Sequence, residues 1–131
     1  MQLSDTFTII VCMFEWQWVD DLDAEEALDE LARARDLLLS AEAGQFLLAA
    51  RWADLNAPDY VEDLARDLPG MPKAVRVHED CPEIEEFAGA ELASVSGLTP
   101  QAGERLIRDA LLVRHRHPRL WEAIRNGVAR V

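Results

Sequence analysis

The stretch that decides the fold is Glu85–Val131, EEFAGAELASVSGLTPQAGERLIRDALLVRHRHPRLWEAIRNGVARV. Phe87, Leu92 and Val95 form an apolar-periodic segment before Ser96. A second periodic segment begins at Pro100, and its apolar positions are Leu106, Ile107, Ala110, Leu111 and Val113. Gly97 can take the positive φ that ends a helix, and the Thr99 hydroxyl can cap the helix that Pro100 then opens. The stretch therefore predicts a helix, a tight turn and a second helix.

The same residues have the spacing of a DNA-binding helix-turn-helix. Ala93 precedes Gly97 by four residues, and Leu106 follows Gly97 by nine. In such a motif the second helix lies in the major groove, where Gln101 and Arg105 would be near base edges.

Two features favour the alternative of a plain helical hairpin that packs on its neighbours. Gly103 stands where helix-turn-helix motifs usually have a branched core residue. The predicted leading helix also carries carboxylates that would repel phosphates, at Glu83, Glu85, Glu86 and Glu91.

Charge is distributed unevenly along the 131 residues, whose formal net charge is −12. Residues 1–32 contain nine acidic residues and no basic one, whereas residues 104–131 contain seven Arg and three acids. Half of the residues are hydrophobic, which indicates one globular domain. The basic end would suit either phosphate or the acidic body of a second copy, and both alternatives stay open.

Residues 1–23 are predicted to form an apolar arm with an acidic lead-in. Thr6–Val19 is rich in β-branched and aromatic residues, which favours a strand, and Ala74–His78 is a weaker strand that would pair with it. An irregular arm that covers the helices is the alternative. Because no basic residue precedes Arg33, the run is not a typical signal peptide, and we expect a cytoplasmic protein with reduced Cys12 and Cys81.

A helical domain is predicted for residues 24–131, opening with a long helix that ends near Leu55. Asp20–Asp23 supplies its cap, and Gly44 is the point where it would split into a hairpin. Unbroken, the helix would be about 45 Å long at about 1.5 Å per residue, which suits a bundle spine or one half of a helical dimer. Its apolar positions are Ala27, Leu28, Leu31, Ala34, Leu38, Phe46, Ala49, Ala50 and Ala53.

Further helices are predicted at Tyr60–Asp67, from Pro100 to about His117, and from Pro118 to a stop at Gly127. The expected fold is therefore all-α: a helical bundle with one long helix, a C-terminal helix-turn-helix-like pair and the apolar arm.

No catalytic, cofactor or metal site is predicted. His115 and His117 are two residues apart, so on a helix they point to different faces and form a poor chelate. With Arg114, Arg116 and Arg119 they fit a solvated basic corner at a helix C-terminus, where positive charge is favourable. His78 beside Glu79 and Asp80 fits a surface loop better than a metal site.

The segment from Glu86 onward resembles the N-terminal helical domain of actinobacterial HNH-endonuclease-like proteins linked to repetitive and mobile elements, known as domain of unknown function 222. The Ala-rich helix around Leu28 to Leu55 is similar less specifically, and the resemblance covers roughly the region from residue 24 onward. The features that carry the resemblance are Glu86-Phe87, Glu91-Leu92-Ala93, Gly97-Leu98-Thr99, Asp109-Ala110, Leu112, Arg114-His115-Arg116, Pro118-Arg119-Leu120-Trp121 and Gly127.

The resemblance implies a non-catalytic module of an HNH-endonuclease-like protein, because that family's nuclease motif lies downstream and no catalytic residue can be carried over. The leading hypothesis is docking on duplex DNA through Gln101, Arg105, Arg108, Arg114, Arg116 and Arg119. The alternative is a protein-interaction or homodimerisation domain that binds no nucleic acid. A third hypothesis is a metal-dependent enzyme that uses His78, His115 or His117. Neither a membrane nor a small-molecule substrate is expected as a partner.

Overall fold

The computed structural model describes residues 17–58, 69–70, 73–129 and 131. Contacts divide the chain into two compact units, Met1–Leu38 and Leu39–Val131. The first unit contains a 3₁₀ turn, Gln17–Asp21, and the beginning of helix α1, Ala24–Leu55. The second contains the rest of α1 together with strands β1 (Ala74–Arg76) and β2 (Glu83–Glu85) and helices α2 (Ala88–Ser96), α3 (Pro100–Arg116) and α4 (Pro118–Arg125). The predicted helical fold is confirmed.

Helix α1 begins at a reciprocal cap. The Asp23 carboxylate accepts hydrogen bonds from the backbone N–H groups of Glu25 and Glu26, both at 2.9 Å, and the Glu26 carboxylate accepts one from the Asp23 N–H at 3.0 Å. The helix continues through Gly44, where an added Cβ would meet nothing within 4 Å. The prediction of one long helix is confirmed, and the alternative of a hairpin at Gly44 is wrong.

Strand β1 pairs antiparallel with β2, and Val75 lies opposite Ile84. The sequence predicted a strand here with the N-terminal arm as its partner, and most of that arm lies outside the described residues. The assignment of Glu83 and Glu85 to a helix is wrong, because both belong to β2. Glu83–Glu85 is extended because its backbone groups form hydrogen bonds with β1 and with the end of α1. The Glu85 N–H donates to the Asn56 carbonyl at 2.9 Å, at the end of α1.

Most of the predicted N-terminal strand lies outside the described residues, as does the predicted helix Tyr60–Asp67. The last three residues of the predicted N-terminal strand, 17–19, belong to the 3₁₀ turn, so the strand prediction is wrong for them.

The end of α2 and the start of α3 are those that the sequence predicted. Gly97 has a φ of +66° and caps α2, and the Thr99 hydroxyl accepts a hydrogen bond from the Ala102 N–H at 3.2 Å. Pro100 is the first residue of α3. Gly127, with a φ of +70°, follows α4 as predicted.

The core of the second unit contains many small residues, which lets its helices approach closely. Its members are Phe46, Ala49, Ala50, Ala53, Cys81, Ile84, Ala88, Ile107, Ala110, Leu111 and Ile124. Ala93 is buried as well. The predicted inner faces of α3 and of the second half of α1 are therefore confirmed.

Helix α2 buries a different face from the one that its large apolar residues indicated. Phe87 and Val95 are exposed, Val95 to 92%, whereas Ala88, Gly89 and Ala93 are buried. The reason is the approach of α3, which leaves room only for small residues on the facing side of α2.

Candidate interaction site

Three predicted DNA-contacting residues lie on the first half of α3. Gln101, Arg105 and Arg108 are spaced by four and then three residues, so they share one face of the helix. Gln101 and Arg105 are exposed. Arg108 is half-buried, and its guanidinium donates from Nε to the Asp109 carboxylate at 3.1 Å. Gln101 and Arg105 are therefore the two residues of this face that are open to a polar partner.

Arg114 is held in an ion pair within the chain. Its two guanidinium nitrogens donate to both oxygens of the Asp54 carboxylate, at 2.7 and 2.8 Å. The same guanidinium lies 6.0 Å from the centre of the Trp121 ring, which in turn packs 6.1 Å from the Phe46 ring. Arg114 therefore joins α1, α3 and α4, and a phosphate would have to compete with Asp54 for it.

Arg116 is also paired, with the carboxylate of Asp80. Asp80 lies 3.5 Å from the Nδ1 atom of His78 as well. Arg119 is exposed on α4. Two of the three arginines of the predicted basic corner are therefore engaged with acidic residues of the same chain.

The cluster of His78, Glu79 and Asp80 is the group of metal-ligand types that the described residues bring together, with ligand atoms within 4.8 Å of one another. Two of its side chains, those of His78 and Asp80, already have partners in the chain. The His78 Nδ1 accepts the Asp80 backbone N–H at 3.2 Å, and Asp80 pairs with Arg116. His115 and His117 are exposed at the end of α3. These contacts describe an ion-paired surface corner.

An apolar groove of about 480 Å³ lies in the second unit, between α1 and α2 and against α3. We call it the α1–α2 groove. Its apolar lining consists of Leu48, Ala49, Trp52, Leu55, Leu92, Val95 and Leu106, and Gln45, Arg51, Glu91 and Ser96 complete its wall. Leu48 is 67% exposed, and Leu55 is also exposed, so large apolar side chains border it openly.

Trp52 forms part of the wall of the α1–α2 groove. Its Nε1–H donates to the carbonyl oxygen of Ala88 at 2.9 Å, which satisfies its polar atom and holds the ring in position. An occupant therefore meets an aromatic surface and leucine side chains, with one acid and one base in the wall, Glu91 and Arg51. Such a lining suits apolar side chains presented by another helix.

No residue of this groove was predicted from the sequence to form a site. Its signal was present in α1, where Leu48 and Leu55 fall outside the periodic set of Phe46, Ala49 and Ala53 that faces the core. Leucines off the buried face of an amphipathic helix indicate a second apolar contact. That the second contact includes α2 depends on the tertiary structure.

Among the helices that the structure describes, none combines the length and the apolar character that crossing a bilayer requires.

Comparison with known proteins gives a match to the eukaryotic translation initiation factor 3 subunit K of Botryotinia fuckeliana (strain B05.10). The two sequences are 30% identical over 92 residues, which are 68% of this chain and 36% of that protein. The chain thus spans about a third of the length of the curated relative it matches. No protein-family profile matches the chain, and no solved structure matches it. The resemblance to domain of unknown function 222 stays a prediction.

Proposed function

We propose that this chain is a helical protein-interaction domain that associates with a second copy of itself and carries no catalysis of its own. The observation that carries the proposal is the α1–α2 groove, whose leucine and valine side chains are open to solvent in a single chain. Covering contiguous apolar surface is the main favourable contribution to protein association.

The first unit supports the proposal by itself. None of the α1 residues up to Leu38 is buried, and four leucines of this segment are more than half exposed, namely Leu28, Leu31, Leu37 and Leu38. Single exposed leucines are ordinary, but four within eleven residues of one helix form a surface that favours a partner.

The arginine contacts favour a protein partner over duplex DNA. Arg114 and Arg116 pair with Asp54 and Asp80, so phosphate binding by them would cost two ion pairs. A net charge of −12 also repels the DNA backbone. The curated relative is named as a subunit, and a domain that assembles with other chains is consistent with that name.

Sedimentation velocity over a wide range of protein concentration tests the proposal. We expect the weight-average sedimentation coefficient to rise from that of a monomer to that of a dimer, because association of two copies depends on concentration. A strict monomer at every concentration would contradict it.

Docking on duplex DNA is the second candidate, as part of a mobile-element-associated, HNH-endonuclease-like protein. The observation that favours it is the shared exposed face of Gln101 and Arg105 on the second helix of the α2–α3 pair. A titration with duplex DNA at low and moderate salt tests it. Affinity should fall steeply with salt, because each phosphate contact releases counterions.

The variants for that titration follow from the contacts. Arg105→Ala should weaken DNA binding, whereas Arg125→Ala, at the end of α4, serves as the control. Arg114 is unsuitable as a reporter, because its replacement also leaves Asp54 without its partner. Equal affinity of both variants would exclude the α3 face.

A further inference from the structure

We propose that the occupant of the α1–α2 groove is helix α1 of a second copy, packed antiparallel, so that residues 24–38 of each copy lie in the groove of the other. The inference rests on the proposed self-association and adds to it the surface, the direction and the register. It joins two observations made on the described residues. One is an open apolar groove, and the other is a helical segment with four exposed leucines and no buried residue.

Helix α1 has the sequence pattern of a helix in a coiled coil. Positions spaced alternately by four and three residues form one stripe along such a helix. From Ala27 onward this stripe is Ala27, Leu31, Ala34, Leu38, Ala41, Gln45, Leu48, Trp52 and Leu55. Its last four members line the α1–α2 groove. The stripe and the groove are thus one apolar surface in the second unit, and the stripe's earlier members are the segment that needs a partner.

The distribution of small and large residues along the stripe selects the antiparallel direction. With the two helices crossing at Ala41, Ala27 lies opposite Leu55 of the second copy, and Ala34 lies opposite Leu48. In these two pairs a large side chain faces a small one, whereas Ala41 faces Ala41, Leu31 faces Arg51 and Trp52 faces Glu30. A parallel pair would instead place Ala27 and Ala34 on the same alanines of the second copy, and Leu48 and Leu55 on the same leucines.

The positions beside the stripe fit the same register. Glu30 of one copy, whose carboxylate pairs with Arg33 of its own chain, falls next to Arg51 of the other, so the pairing brings opposite charges together twice across the two-fold axis. Leu37, which is 71% exposed, falls next to Gly44 of the second copy, whose Cβ position is open space. Charge and shape therefore both agree with the crossing at Ala41.

A second copy also explains how enough surface is covered. A stable interface buries on the order of 1,200–2,000 Å² in total, more than one short helix in one groove supplies. In a two-fold dimer the contact occurs twice, because each copy contributes both a groove and an exposed segment.

Disulfide trapping tests the direction and the register. A Cys12→Ser background removes one native thiol, and buried Cys81 is retained. A chain with Ala34→Cys and a differently tagged chain with Leu48→Cys are mixed and oxidised mildly. We expect a mixed disulfide between the two tags, because the two positions face each other across the antiparallel pair. Disulfides only between two Ala34→Cys chains would indicate a parallel pair and overturn the proposal.

Truncating a leucine side chain of the α1–α2 groove tests whether the groove is part of the dimer interface. Leu48→Ala should raise the dimer dissociation constant about tenfold or more, because each dimer loses two buried leucines. Thermal unfolding of the diluted monomer should change little, since Leu48 is exposed in a single chain. Val128→Ala, at an exposed position outside the groove, is the control. Equal dimer affinity of both variants would overturn the proposal.

Charge reversal tests the flanking pairs. Glu30→Arg and Arg51→Glu should each weaken the dimer about threefold to tenfold, and the double variant should recover affinity. Asp29→Arg, on the outer face of the same helix, is the matched control. No recovery in the double variant would contradict the register.

Failure of the antiparallel register and failure of self-association give different results. A dimer by sedimentation that gives no mixed disulfide overturns the antiparallel register and leaves self-association standing. A strict monomer overturns both.

Discussion

Gly103 on α3 lies so close to Gly89 on α2 that neither position has room for a side chain. A Cβ on Gly103 would fall 2.7 Å from the Cβ of Ala93, and closer still to the Gly89 carbonyl oxygen. A Cβ on Gly89 would fall 2.6 Å from the Cγ of Glu104. The residue that argued against a helix-turn-helix in the sequence is thus the residue that lets the two helices meet at backbone distance.

Gly103→Ala should therefore lower the free energy of unfolding by about 1–3 kcal/mol, because the added methyl group forces the helices apart. Gly44→Ala is the matched control, since its Cβ would meet nothing within 4 Å. It should raise the free energy of unfolding by about 0.5–1 kcal/mol, as alanine is the better helix former. Urea unfolding followed by circular dichroism measures both. A Gly103→Ala chain as stable as the parent would contradict the close packing.

The ion pair between Arg114 and Asp54 should stabilise the second unit. A double-mutant cycle of Arg114→Ala and Asp54→Ala should give a coupling free energy of about 1 kcal/mol, since the pair is bidentate but partly exposed to solvent. Arg105→Ala, at an exposed position, should change stability by less than about 0.5 kcal/mol. Purely additive losses in the cycle would show that Arg114 acts only through its packing on Trp121.

The Thr99 hydroxyl should stabilise the start of α3. Thr99→Ala removes the acceptor of the Ala102 N–H and should lower the free energy of unfolding by about 1 kcal/mol. Ser94→Ala, at an exposed position inside α2, is the control and should change stability by a few tenths of a kcal/mol, in the favourable direction. Equal effects of the two substitutions would contradict the cap.

Cys81 should be an unreactive thiol in the folded chain. Burial raises its pKa above the ordinary value of 9.0, and Asp80 raises it further, while Arg116, Arg114 and Arg76 oppose the shift. The thiolate is the reactive form, so a Cys12→Ser chain should react with Ellman's reagent slowly until urea unfolds it. Fast reaction in the folded state would contradict the burial of Cys81.

The same shift predicts a pH dependence of stability. Because the pKa of Cys81 is raised in the folded state, its contribution to stability is complete below the ordinary value and is lost as the pH rises past it. The free energy of unfolding should therefore fall above about pH 9, and the fall should be smaller in a Cys81→Ala chain. Identical pH profiles of the two chains would exclude Cys81 as the cause.

The sequence alone determined where α1 and α3 begin and where α2 and α4 end. The caps at Asp23 and Thr99 and the positive φ of Gly97 and Gly127 arise within a few residues of each boundary. Such signals depend on local hydrogen bonds and backbone angles, so their position in the chain is enough to predict them. The helical fold class followed from them.

The tertiary structure decided which faces are buried and which charges are free. Val95 looked like a core residue of α2, but the contact between Gly89 and Gly103 turned the buried face toward the small residues. Arg114 looked like a DNA contact, but it pairs with Asp54, which lies 60 residues earlier. Side chains so far apart in sequence leave no local pattern, because their partner is set only when the helices pack. The α1–α2 groove also depends on how the helices pack, because α1 and α2 together form its walls.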